Sequence, residues 1–365
     1  MNDLTTRVAE YIKTSFDQQD EKTFNALALE VFQFQYTSIP IYRKLCDRRG
    51  VTPDSAASWR DIPGISTDGF KLVDLFAKSS TEAKRIFSTS GTTQGAKKGR
   101  SFFSDSGLAL MDAAILENAR QYLFPDNIRL RFLIIAPSPE QAPHMIMAYG
   151  MEQLRQSFGL PGSRFLVGEQ GFNPEELIRE LRNAEKENTP VALIGASLGF
   201  LAFFDYCHDK KISFQLPPDS RTLDAGGYKG RTRTIAQDEF LSLVFTYLGI
   251  HEGMSVNLLG MTELGSQLYD NSLKNHCKNL PDRRYKENPP WTRTRVLDPR
   301  TMKEVQIGER GILWHLDLIN VERVAFIQTD DIGKRCGPGF EILGRARASE
   351  ARGCSLSIEE LTKSS

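Results

Sequence analysis

Apolar residues at Phe24, Leu27, Val31 and Phe34 recur three and four apart, which predicts a helix with one buried face that ends before Pro40. A second helix is expected over Ile41–Cys46, followed by a loop from Trp59 through Pro63 to Phe70-Lys71. Leu108 to Tyr122 has helical spacing. Arg131-Phe132-Leu133-Ile134-Ile135-Ala136-Pro137 is a short apolar run closed by proline, the pattern of a buried strand. A helix is expected around Gly150–Leu154. Asn173-Pro174-Glu175-Glu176 then supplies an N-cap, a first-turn proline and early acids, opening a helix through Leu177 and Leu181. Val191–Ile194 reads as another buried strand. Strands alternating with helices predict parallel pairing and an α/β fold.

Past Gly308 the pattern changes to shorter segments, Gly311–Leu316 and Arg323–Thr329, separated by glycines and charges. These predict a small, mainly β part. The expected division is a helical part over 1–85, an α/β core over 86–307, a β-rich subdomain over 308–345 and a tail over 346–365. No repeat or Pro/Ser linker interrupts the chain, so these boundaries are expected to be packed ones.

At 365 residues the chain can bury a large core. Lysine plus arginine and aspartate plus glutamate number 46 each, so no net field draws the chain to nucleic acid or an anionic membrane. Five cysteines, widely spaced and without a C-x-x-C, fit a reducing cytoplasm. His208 beside Cys207 is one ligand pair without a second, so no transition-metal site is expected. The start of the chain has no targeting pattern, and no apolar run is long enough to span a membrane.

Phe87-Ser88-Thr89-Ser90-Gly91-Thr92-Thr93-Gln94-Gly95-Ala96-Lys97-Lys98 gathers hydroxyls, glycines and lysines, a composition whose backbone N–H groups and ammoniums can hold phosphate. It lacks the G-x-x-x-x-G-K-[ST] spacing, and the same composition also makes a solvated turn. In Asp224-Ala225-Gly226-Gly227-Tyr228-Lys229-Gly230, paired glycines beside an aromatic ring either let backbone approach a flat ligand or form a tight turn. Met254–Leu259 is an expected strand. It leads into Gly260-Met261-Thr262-Glu263, where a hydroxyl and a carboxylate at a strand end suit an α-phosphate and its Mg²⁺.

A rival chemistry is also visible. Gly195-Ala196-Ser197-Leu198-Gly199 satisfies G-x-S-x-G directly after a strand, as in a serine hydrolase, with Asp270 and His276, or His315, as possible partners. The alternative is that small residues let a helix pack close to the sheet. Cys354, flanked by glycine and serine near Arg352 and Arg347, is either a reactive thiol or an ordinary one.

Thr89-Ser90-Gly91-Thr92-Thr93 followed by Lys97 resembles the phosphate-binding motif of adenylate-forming enzymes, although Gln94 and Ala96 stand where that family usually has Gly and Pro. Gly260-Met261-Thr262-Glu263 resembles its Tyr-Gly-Met-Thr-Glu motif, with Leu259 in place of Tyr. Thr329-Asp330-Asp331 is similar to its Thr-Gly-Asp, and Gly344-Arg345 to the Gly-Arg that follows. The motifs occur in the family's order. Within that superfamily, through Phe24–Leu29, Pro40–Cys46, Gly226–Gly230 and Arg352–Leu356, the chain resembles over nearly its whole length the acyl-protein synthetases, including the fatty-acyl synthetase component of bacterial bioluminescence.

That resemblance implies an adenylate-forming core of parallel sheets and helices with a small β-rich subdomain. Because the sequence stops at Ser365, the mobile lid of an acyl-CoA ligase is expected to be missing or vestigial. It further implies ATP and Mg²⁺ as cofactors. Lys97, Thr262, Glu263 and Cys354 would be catalytic, with Glu263 also holding the metal. Thr89, Ser90, Gly91, Thr92, Thr93, Gly226, Gly227, Tyr228, Asp331 and Arg345 would bind the nucleotide, Asp331 through the ribose hydroxyls. Gly195, Ala196, Ser197 and Gly260 would border the acid, expected to be a fatty acid. The activated acyl group would pass to Cys354 or to a partner, such as an acyl reductase or an acyl-carrier protein. A non-catalytic acyl- or nucleotide-binding relative is the third possibility.

Overall fold

The computed structural model describes residues 2–89, 98–226 and 235–345. Ser90, Gly91, Thr92, Thr93, Lys97, Gly227, Tyr228 and Cys354 lie outside the described residues. The chain divides into two compact units: Met1–Glu117, Met261–Ser266 and Lys286–Ser365 form the first, and Asn118–Gly260 with Gln267–Tyr285 form the second.

The second unit is built on a seven-stranded sheet. Its centre is five parallel strands in the order Ser255–Leu259, Arg221–Ala225, Val191–Ala196, Arg131–Pro137 and Arg164–Gly168, with short antiparallel strands Leu268–Tyr269 and Gly171–Phe172 at the edges. The middle strands are continuous apolar runs because both faces are covered. Phe132 to Ala136 and Val191 to Ile194 are all buried. The crossover helices include Ile146–Phe158, Pro174–Glu187, Ser197–Lys210 and Gln237–Leu248. Helix Pro174–Glu187 begins as its sequence predicts, with the Asn173 side chain accepting from the amides of Glu175 and Glu176, and it ends on Asn188 in the left-handed region.

The first unit begins with helices Asn2–Thr14, Glu21–Ser38 and Pro40–Arg48. Asp20 caps the second, accepting from the amides of Lys22 (3.0 Å) and Thr23 (2.9 Å). The buried face of that helix is Phe24, Leu27, Ala28, Val31, Phe32 and Gln35. This corrects the stripe expected from sequence. Phe34 is only half-buried, and the 3.6-residue period brings Gln35 into the core instead.

Two sheets complete this unit. A hairpin pairs Arg85–Ser88 with Arg100–Phe103. The larger sheet runs Ile65–Ser66, Phe326–Cys336, Arg310–Asp317 and Thr292–Leu297, with Gly339–Arg345 also pairing to the 326–336 strand. The β-rich texture expected from Gly308 therefore continues a sheet that already contains strands at 65–66 and 292–297. Ile65–Ser66 pairs parallel and the other strands antiparallel.

Gln35 is fully buried yet satisfied by backbone alone. Its Nε2 donates to the carbonyls of Asn320 (2.6 Å), Val321 (3.2 Å) and Arg323 (2.5 Å), and its Oε1 accepts from the amide of Ala325 (3.1 Å). One side chain thus fixes the connection between strands Arg310–Asp317 and Phe326–Cys336. Replacing Gln35 by Leu strands several buried backbone groups, so Gln35→Leu is expected to cost about 3 kcal/mol or more. Urea unfolding should show a lower midpoint at unchanged slope, whereas a midpoint within experimental error of the parent would show that these bonds contribute little net stability.

Candidate active site

In the second unit the candidate residues lie at the carboxyl ends of the parallel strands, the edge at which open α/β sheets bind ligands. Strand Val191–Ala196 ends at Ser197, the first residue of its helix. The neighbouring strands Arg221–Ala225 and Ser255–Leu259 end at Gly226 and Gly260. Both glycines are exposed. Gly226 has φ +91° with open space around its missing side chain, so backbone conformation rather than crowding calls for glycine there. Its amide donates to the carbonyl of Leu258 at 3.3 Å.

Beneath this edge is a small polar cluster. Oδ2 of the buried Asp224 accepts from Ser197 Oγ at 2.7 Å and from Asn257 Nδ2 at 2.8 Å. Ser197 Oγ also lies 3.1 Å from the carbonyl of Gly226. Ser197, Asp224 and Asn257 thereby tie together the ends of three adjacent strands. Asp224 and Asn257 were not singled out from sequence. Their signal was a polar residue beside apolar ones near the end of an expected or buried strand, Asp224 between Leu223 and Ala225 and Asn257 between Val256 and Leu258, which implies a hydrogen-bonded role.

The same geometry speaks against a serine nucleophile. Ser197 is buried and its single hydroxyl proton points to a carboxylate, not to a histidine. Asp270 accepts from Arg284 Nη1 (3.1 Å), Gln237 Nε2 (3.2 Å) and the Asn257 amide (3.2 Å), while His276 packs against His251 with ring centroids 5.8 Å apart. His315, in the first unit, shares a hydrogen bond between its Nδ1 and Thr294 Oγ1, and burial pushes its pKa down to about 3. A base that weak would not activate a serine. The glycines of G-x-S-x-G are explained by packing: a Cβ on Gly195 would come within 2.9 Å of the Ile135 carbonyl, and one on Gly199 within 2.9 Å of Ile135 Cγ2.

In the first unit, Thr262 and Glu263 are the two central residues of a turn closed by the Leu264 amide on the Met261 carbonyl at 3.1 Å. Both are buried. The exit of the turn is held from below by the 317–325 connection. Asn320 Nδ2 donates to the Glu263 carbonyl at 2.9 Å, and Asp317 Oδ2 accepts from the amides of Gly265 (3.0 Å) and Ser266 (2.8 Å). Burial raises the pKa of Asp317, while the bonds from Ser266 and the charge of Arg323 pull it back. Gly265 is required by close approach, since a Cβ there would lie 2.5 Å from Ile319 Cδ1.

Asp331 and Arg345 are directly opposite each other across strands Phe326–Cys336 and Gly339–Arg345. Arg345 Nε lies 3.6 Å from Asp331 Oδ1, with the arginine half exposed and the aspartate nearly buried. Thr89 sits at the end of the 85–88/100–103 hairpin and is paired to Gly99 in both directions. Its amide donates to the Gly99 carbonyl, and the Gly99 amide donates to Thr89 Oγ1, both at 2.9 Å. Of the segment expected to hold phosphate, the described part is this pairing at its two ends; residues 90–97 lie outside the described residues.

Among the described residues, no group of three or more His, Cys, Asp and Glu could hold a metal ion. Glu263 with the Thr262 hydroxyl offers hard oxygen donors instead. That suits Mg²⁺, which keeps several waters and takes one or two carboxylates together with substrate phosphates. No helix among the described residues is long and apolar enough to cross a membrane.

Comparison with known proteins accords with this arrangement. The chain is 23% identical over 354 residues to the long-chain-fatty-acid–luciferin-component ligase of Vibrio harveyi, and 23% identical over 357 residues to that of Aliivibrio fischeri, each match covering 94% of this chain and 89% of the relative. Among solved structures, an open conformation of 2-hydroxyisobutyryl-CoA ligase in complex with 2-HIB-AMP and CoA superposes with a TM-score of 0.64 at 15% identity, over 89% of this chain and 74% of that one. ATP-bound MatB from Rhodopseudomonas palustris gives 0.51 at 16% identity, over 82% and 56%. These two structures share the fold of an adenylate-forming ligase. The description "Acyl-protein synthetase, LuxE" fits residues 3–362, and the chain belongs to that family.

Proposed function

We propose that this chain activates a carboxylic acid, preferentially a long-chain fatty acid, with ATP and passes the acyl group to a thiol. The acid's carboxylate attacks the α-phosphorus, the bond to the bridging oxygen breaks, and pyrophosphate leaves with the electron pair. A thiolate then attacks the acyl carbon of the adenylate, and AMP leaves. The observation that carries this function is the buried Thr262-Glu263 turn, which follows directly from a parallel strand ending at an exposed glycine. Membership of the acyl-protein synthetase family and the names of the two Vibrio-type relatives support the acid and the thiol acceptor.

Roles follow from chemistry. In the first unit, Thr89, Ser90, Gly91, Thr92, Thr93 and Lys97 would cradle the phosphates, Thr262 would contact the α-phosphate, and Glu263 would hold Mg²⁺. Asp331 would accept from the ribose hydroxyls and Arg345 would steady it. In the second unit, Gly226, Gly227 and Tyr228 would meet the nucleotide's flat base. Gly195, Ala196, Ser197 and Gly260 would border the acid. Bound Mg²⁺ would supply charge neutralisation at phosphorus. Cys354 would be the first acyl acceptor, and an acyl reductase or acyl-carrier protein the next. The chain would work in the cytoplasm, where its thiols stay reduced.

Two substitutions separate the half-reactions. Glu263→Gln is expected to lower acid-dependent ATP–pyrophosphate exchange by about 100-fold or more, the scale at which loss of one electrostatic group at a reacting centre acts. Cys354→Ser should keep exchange and lose the hydroxylamine-labile acyl adduct seen by intact mass. The reverse pattern would refute this division of roles. A fluorophosphonate probe should leave Ser197 unlabelled, because its hydroxyl is buried and bonded to Asp224; labelling there would favour a serine acyltransferase or esterase instead.

A further inference from the structure

Thr262 and Glu263 occupy the middle of a four-residue turn, so the directions in which their side chains leave the backbone are set by how that turn is held. The 317–325 connection holds it at three points on its exit: the Glu263 carbonyl by Asn320, and the amides of Gly265 and Ser266 by Asp317. The connection is itself rigid. Asp317 Oδ1 accepts from Ser266 Oγ at 2.8 Å and from the Ile319 amide at 3.3 Å, and Ser266 Oγ in turn accepts from Trp291 Nε1 at 3.0 Å. Gln35 also fixes the backbone from Asn320 to Ala325.

The orientation of the Asn320 amide is not arbitrary. Its Oδ1 accepts from the Arg323 guanidinium, which can only donate, so its NH₂ must face the Glu263 carbonyl. Arg323 is kept in place by stacking over the Phe103 ring, 3.5 Å from its centroid. Asn320 and Asp317 are both completely buried, so neither bond has water to replace it. Turning the amide over would set two carbonyl-type oxygens face to face and leave an NH₂ against a guanidinium.

We propose that Asn320, locked by Arg323 and Gln35 and acting beside Asp317, is a positioning residue that aims the Glu263 carboxylate at the metal of bound ATP. The proposal rests on the adenylating function above, and it assigns to Asn320 a role in metal affinity beyond its part in the fold. Asn320 bonds the backbone carbonyl of Glu263 and so acts through the turn; outer partners that orient a ligand typically alter metal affinity by about 10- to 100-fold when removed.

Equilibrium binding of ATP, measured calorimetrically without any acid so that no turnover occurs, tests it in the presence and absence of Mg²⁺. Parent protein should bind ATP more tightly with Mg²⁺. Asn320→Ala and Asn320→Asp should lose about tenfold or more of that Mg²⁺-dependent gain, as Glu263→Gln does, while ATP affinity without Mg²⁺ stays at the parent level. Asn320→Asp keeps the shape and the Arg323 contact, so it carries the test if the alanine variant fails to fold.

A lower melting temperature with the full Mg²⁺ gain retained would make Asn320 merely structural and overturn the proposal. Retention of the gain in Glu263→Gln would overturn it too, by removing the ligand that Asn320 is said to aim. Parent protein that binds no ATP under either condition would instead bring down the adenylating function itself, a failure visible before any variant is compared.

Discussion

The first unit depends on burying a charged and amide-bearing connection with nearly all of its polar groups paired, Arg323 Nη1 being a buried exception. Asp317, Asn320, Glu322 and Arg323 all fall within seven residues and are all buried. Each is answered by a specific partner. Asp317 takes backbone amides, Asn320 bridges a carbonyl and a guanidinium, Arg323 stacks on Phe103, and Glu322 receives Lys78, Ser104 and Ser106. Desolvating such groups costs several kcal/mol each unless the geometry is right. Only one arrangement of the connection recovers that cost, which makes it a stiff support for whatever it contacts.

The second unit reaches a comparable precision by simpler means. Parallel strands bring their carboxyl ends to one edge, and apolar side chains on both faces hold the sheet in register. A single carboxylate, Asp224, then joins the ends of three strands through Ser197 and Asn257. The Gly-x-Ser-x-Gly pattern is a by-product of this design. Its glycines answer the close approach of Ile135, and its serine answers Asp224, so a sequence signature of nucleophilic catalysis is met by packing and hydrogen bonding alone.

Much of the architecture was legible because hydrophobic period and capping chemistry act locally. Asn173-Pro174 started a helix where it should, and the apolar runs at 131–137 and 191–196 became central parallel strands. The short motifs also pointed to a turn at Thr262-Glu263, a strand end at Gly226 and a strand position at Asp331. What remained hidden depended on distant partners. Gln35 is polar and was passed over in favour of Phe34, because nothing nearby in sequence announces the backbone groups near residue 320 that it satisfies. Asp317, Asn320 and Arg323 were equally silent. A carboxylate and an amide within the apolar stretch Leu316–Val321 were the available signal, one that says such groups are buried and paired but not with whom.

The interleaving of the units in the chain bears on how the protein is made. Asn118 to Tyr285 contains the whole of one unit, interrupted only by Met261–Ser266, whereas the other joins Gln35 to Asn320 across 285 residues and Ile65 to Ile327 in adjacent strands. On the ribosome the sheet of the second unit can close as soon as its own strands emerge. The amino-terminal helices must wait with Gln35 unanswered until residue 325 is delivered. A nascent chain halted between these points would carry one finished sheet and one exposed, mostly apolar helical face, a species for chaperones to shield and proteases to clear.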